Sequence, residues 1–158
     1  MSSLDDAARD GRRWPVRFLQ ISLTVTALLM FGQAVLAGLF MGGAHSAFAW
    51  HREMATVTGI ALMIAIVAAV LATRLGRAPR WLIGATVGLL ALMSLQAFAG
   101  FRSLSALHVP LGVIVILVAV ALAVWALRLR PPAERSVASR QSLEHPKASL
   151  RADASPPR

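Results

Sequence analysis

Two histidines, His51 and His108, stand at matching places in a pattern that this chain repeats. The run Gln33-Ala34-Val35-Leu36-Ala37-Gly38-Leu39-Phe40 sets a glutamine five residues before a glycine, and Gln96-Ala97-Phe98-Ala99-Gly100-Phe101 sets one four residues before. Each run leads through a connection to a histidine, His51 after the first and His108 after the second. Neutral imidazole is a ligand for iron, copper and zinc. Two imidazoles at one level, on opposite sides of a flat macrocycle, are what axial ligation of a b-type haem requires.

The residues around the two histidines suit that chemistry. Ala55, Gly59 and Gly112 lie four, eight and four positions from their histidine, on its own helix face, where small side chains admit a porphyrin edge. Gly38, Gly42 and Gly100 lie towards the same ends of the other two helices. Arg52 and Arg102 are cations that can pair with anionic propionates. Gln33 and Gln96 can donate hydrogen bonds within the cavity or bridge helices. Plainer roles exist for each residue taken alone. A histidine at a membrane boundary can cap a helix, glycine serves helix packing, and arginine at a helix end snorkels. His45 can compete as ligand or share a copper or zinc site with His51, for which Glu53 is the only neighbouring carboxylate.

The elements that position these residues follow from where charge is missing. Only 15% of the residues are charged and 57% are hydrophobic, with a mean hydropathy of +0.66. A soluble domain usually carries about a quarter charged residues. Residues 18–50, 54–73, 81–101 and 103–127 contain no Asp, Glu, Lys or Arg. A spanning helix needs roughly 20 apolar residues, so the four windows predict spans at about 18–41, 51–74, 80–101 and 106–128. The fold expected is all-α and integral to the membrane: an up-down-up-down four-helix bundle over residues 16–130, built from two tandem helical hairpins. The run 18–50 is 33 residues long, more than twice the 7–15 residues of a cleavable signal sequence's apolar region.

Fourteen of the sixteen basic residues fall in residues 1–17, residues 74–80 and the segment from residue 128 onward, against Arg52 and Arg102 in the two other connections. Basic loops stay cytoplasmic. Both termini are therefore expected inside, with His51 and His108 near the outer face. Trp14, Trp81 and Trp125 then mark the inner interface and Trp50 the outer one. The net charge of +9 reads as an orientation signal with possible anionic-lipid contact, and not as a nucleic-acid surface. Residues 1–15 read as a cytoplasmic N-terminal segment. Residues 131–158, holding five of the eight prolines and His145, read as a disordered cytoplasmic tail.

Cysteine is absent, which excludes disulfides, iron–sulfur clusters and thiolate-ligated metals. No nucleophile–base set and no glycine-rich phosphate loop is present, so hydrolysis and phosphoryl transfer have no machinery and an enzyme is not expected.

The layout over roughly residues 16–130 resembles an uncharacterised family of small four-helix bacterial membrane proteins. The hairpin pattern also resembles one half of haem A synthase, in which a four-helix bundle carries a histidine in helices two and four at the outer side. His51-Arg52 matches the His-Arg pair that opens helix two there, and His108 matches the helix-four ligand. The resemblance implies a b-type haem bundle in a bacterial plasma membrane. Departures are specific: there is one bundle instead of two, and Val109-Pro110 follows His108. Phe48 stands where the synthase has its catalytic acid, which argues against oxidation of a haem methyl.

Three functional classes are therefore expected in order. First comes one haem b between His51 and His108, serving electron exchange with a membrane or extracytoplasmic redox partner, redox sensing or haem handling. A cofactor-free membrane scaffold or accessory subunit comes next, and its sign would be histidines that face lipid or solvent. A small transporter ranks last, because transporters bury charge at mid-membrane and these windows hold none.

Overall fold

The computed structural model describes residues 2–76 and 78–129, with side chains from residue 13 onward. Arg77, Arg130, His145 and the tail expected over 131–158 lie outside the described residues. The chain forms α1 (Ser2–Met41), α2 (Ser46–Arg74), α3 (Trp81–Phe101) and α4 (Ser105–Leu127). All four are long and apolar enough to cross a membrane, α1 through its segment Arg13–Met41. Two starts differ from the sequence expectation. α1 runs continuously through Pro15 from Ser2, and α2 begins five residues before His51. Loss of charge delimits the apolar stretch, whereas the helix itself starts at Ser46 and runs through Arg52 and Glu53.

α1 packs on α2, α2 on α3, α3 on α4, and α4 closes the ring on α1. No Cα pair within 8 Å joins α2 to α4 or α1 to α3 among the described residues, so these are the diagonals of a four-helix bundle. Buried positions step by four and three along every helix: Leu19, Leu23, Thr26 and Met30 on α1; Thr58, Leu62, Ala65, Ala69 and Ala72 on α2; Leu82, Thr86 and Leu89 on α3; Val115, Ala119, Leu122 and Ala126 on α4. This is the heptad seam of left-handed packing, and its alanines let the backbones approach closely. Thr26, Thr58 and Thr86 keep their hydroxyls satisfied by donating to the carbonyl four residues back. At the same end of the bundle the Gln20 amide donates to the carbonyls of Ala126 and Leu129, both at 3.1 Å, tying α1 to the C-terminus of α4. There Trp81 and Trp125 meet edge to face with centroids 4.6 Å apart.

The opposite end, which carries the histidines, is built differently. Between residues 31 and 57 only Ala47 is buried, and between residues 90 and 114 only Ala99. Most of the buried residues therefore lie towards the Trp81–Trp125 end, and few at the histidine end.

Both connections at the histidine end have one backbone design. After α1, Ala44 N–H donates to Leu39 O at 3.0 Å and Gly43 N–H to Phe40 O at 3.1 Å. After α3, Leu104 N–H donates to Ala99 O at 2.9 Å and Ser103 N–H to Gly100 O at 3.0 Å. Each is a Schellman cap whose left-handed residue is Gly43 (φ +99°) or Ser103 (φ +55°). The repeat seen in sequence is therefore a repeat of backbone geometry too.

Candidate functional site

His51 sits six residues into α2 and His108 four residues into α4, each half-buried. Their helices are diagonal to one another, yet the two imidazole centroids lie 6.4 Å apart with ring planes at 73°. Both side chains therefore turn into the bundle from opposite sides and meet there.

Each ring is held by its own hairpin in the same way. His51 Nδ1 lies 3.1 Å from the backbone carbonyl of Gln33 on α1, and His108 Nδ1 lies 2.8 Å from that of Gln96 on α3. A carbonyl oxygen only accepts, so each Nδ1 carries the proton and donates. The lone pair of both rings is thereby assigned to Nε2. Metal-binding histidines are typically fixed like this, with the non-ligating nitrogen bonded to a carbonyl. The hairpins reach this equivalence with different lengths. Ten residues separate Gln33 from Gly43 and eight separate Gly43 from His51, whereas the spacings about Ser103 are seven and five. The first hairpin has one extra near-turn on each arm, which preserves the Gln–His register.

Side-chain contacts of the two glutamines differ. Gln96 Nε2 lies 3.3 Å from His108 Nε2, and a lone pair there calls for the amide N–H as donor. Both polar atoms of the Gln33 amide are buried without a partner. A buried, unpaired amide costs about 1–3 kcal/mol, so it calls for an explanation. Glycines line the same region. A Cβ at Gly100 would approach Nδ1 and Cε1 of His108 to 2.9 Å, and one at Gly112 would lie 3.3 Å from Gln96 Nε2. At Gly38 a Cβ would meet nothing within 4 Å, and at Gly59 only Met93 Cε at 3.9 Å.

Arg52 follows His51 directly and Arg102 caps the C-terminus of α3; both are exposed at the histidine end. His45 caps α2 through its backbone, is exposed, and makes no side-chain capping bond. Among the described residues no group of three or more His, Cys, Asp or Glu is placed to hold a metal ion. A haem needs less from the protein, since the porphyrin supplies four nitrogens and the chain two. His51 and His108, with ring centroids 6.4 Å apart, are the two side chains that would hold such a group from opposite helices. The unpartnered Gln33 amide and the glycines Gly100 and Gly112 beside His108 and Gln96 are consistent with a partly polar group held there.

Sequence reasoning singled out His51, His108, Gln33 and Gln96, which the structure brings together, but it did not foresee that the glutamines meet the rings through their main-chain carbonyls. A backbone carbonyl leaves no mark in side-chain identity. Comparison with protein families, curated proteins and solved structures finds no match to this chain.

Proposed function

We propose that this chain is a multi-pass protein of a bacterial plasma membrane that holds one b-type haem between His51 and His108. The bundle is up-down-up-down, both termini are cytoplasmic, and the site lies near the outer face, as the basic residues of the other end support. The observation that carries the reading is the pair of imidazoles with centroids 6.4 Å apart, each with Nδ1 bound to a glutamine carbonyl so that the lone pair lies on Nε2.

The chain's own residues divide the work. Gln33 and Gln96 fix the tautomer and aim of the rings through their carbonyls. Gly100 lets the His108 ring lie against α3, and Gly38 and Gly59 keep the walls low. Arg52 and Arg102 are the cations within reach of the propionates in this arrangement. A haem held by two imidazoles supplies a one-electron couple. With a single site near one face, the role is electron exchange with an extracytoplasmic partner or quinone, redox sensing or haem handling; transfer across the bilayer would call for a second haem.

Protein purified in mild detergent should give a reduced-minus-oxidised spectrum with a sharp low-spin b-type band. His51→Ala and His108→Ala should each lose or alter it. A wild type that stays colourless after haem is supplied would overturn the proposal and leave a cofactor-free scaffold or accessory subunit as the reading.

A further inference from the structure

We propose that Gln96 is a latch on one of the two ligand nitrogens, so that the site acquires its ligands in a fixed order, His51 before His108. The inference rests on the haem reading and adds to it a loading sequence. The two hairpins agree in backbone and in Nδ1 bonding, so any difference between them at Nε2 is informative. His108 is held twice by one residue: Gln96 O accepts from Nδ1 at 2.8 Å, and the Gln96 amide donates to Nε2 at 3.3 Å. The His51 ring is bonded through Nδ1 alone among the described residues. The equivalent amide of Gln33 is buried and contacts no polar atom.

An Nε2 lone pair engaged by an N–H donor is unavailable to a metal until that bond breaks. His51 can ligate as it stands. His108 would first have to release the Gln96 amide before its Nε2 lone pair could serve as a ligand, with Nδ1 keeping its proton throughout. Gly112 bears on the latch as well, since a Cβ there would lie 3.3 Å from Gln96 Nε2 and crowd its swing.

Mixing the full-length apo protein in detergent with ferric protoporphyrin IX, followed by stopped-flow absorption, tests the order. The wild type should show a fast phase with the spectrum of one imidazole and a slower phase to the low-spin spectrum of two. Gln96→Leu should speed the slower phase by about three- to tenfold, the factor that the net worth of one neutral hydrogen bond sets. Gln20→Leu, at the far end of the bundle, should leave that phase unchanged. His108→Ala should keep the fast phase alone, and His51→Ala should lose it. A second readout needs no haem: the imidazole ¹⁵N shift of His108 Nε2 in apo protein should move in Gln96→Leu and stay in Gln33→Leu. A single phase in the wild type, or a slower phase and a ¹⁵N shift indifferent to Gln96, overturns the latch while leaving the haem reading standing. No binding by any form overturns the haem reading and the loading order with it.

Discussion

Gly100 lies directly beneath the imidazole of His108, so close that a Cβ at that position would stand 2.9 Å from both Nδ1 and Cε1. The glycine is thus part of how α3 receives the ring, and the bond from Nδ1 to Gln96 O depends on that close approach. Gly84, near the start of the same helix, has nothing within 4 Å of such a Cβ. Gly100→Ala should push the ring off its carbonyl and weaken haem affinity about tenfold, equivalent to about 1.4 kcal/mol. Gly84→Ala should leave affinity unchanged. Haem titration monitored by absorption compares them, and equal affinities for the two variants would refute the role given to Gly100.

Gln33 should show opposite signs in the two states. Its amide is buried and unpartnered, so Gln33→Leu should leave apo stability equal or raise it by about 1 kcal/mol. Haem-loaded protein should instead lose stability, because the amide is then available to the bound group. Denaturation midpoints with and without haem read both signs. A loss in the apo state would mean that Gln33 already serves the fold.

Ser103 carries a backbone conformation better suited to glycine. It sits at φ +55° where the first hairpin has Gly43 at +99°. A side chain in the left-handed region costs roughly 1–2 kcal/mol, so Ser103→Gly should stabilise the protein by about 0.5–1 kcal/mol, part of the gain being lost to chain entropy. Gly43→Ala should destabilise it by about 1 kcal/mol. Chemical denaturation in detergent measures both, and a destabilising Ser103→Gly would show that the serine side chain has work of its own.

At the other end, Gln20→Leu removes two hydrogen bonds to the last carbonyls of α4. Bonds between membrane helices average about 0.6 kcal/mol each, so a loss of about 1 kcal/mol is expected. Haem binding should be untouched, because the tie lies among the close-packed seams far from the histidines. A variant that lost haem at unchanged stability would show coupling between the ends.

Helices α3 and α4 fill windows that charged residues bound directly, Arg80 and Arg102 for the one and Arg102 and Arg128 for the other. The first window hid more. Residues 18–50 are uncharged throughout, so charge alone gives no boundary between α1 and α2; the Gly42-Gly43 pair marks the turn, and α2 starts at Ser46. His51 and His108 were legible because their repeat positions demand equal depth, and the rings do meet. The main-chain role of Gln33 and Gln96, the second cap at Ser103 and the unequal state of the two Nε2 atoms were not legible. Each depends on backbone carbonyls or on φ, which side-chain identity constrains weakly outside glycine and proline. The tie from Gln20 to α4 was missed for a related reason: its acceptors are carbonyls more than a hundred residues away.

Low-temperature electron paramagnetic resonance of the ferric, haem-loaded protein tests the central claim most directly, because it reports the axial ligands themselves. Two imidazoles should give a low-spin signal in the wild type, replaced by a high-spin signal in His51→Ala and again in His108→Ala. A wild-type signal that is high-spin, or one that neither substitution changes, would contradict ligation by this pair.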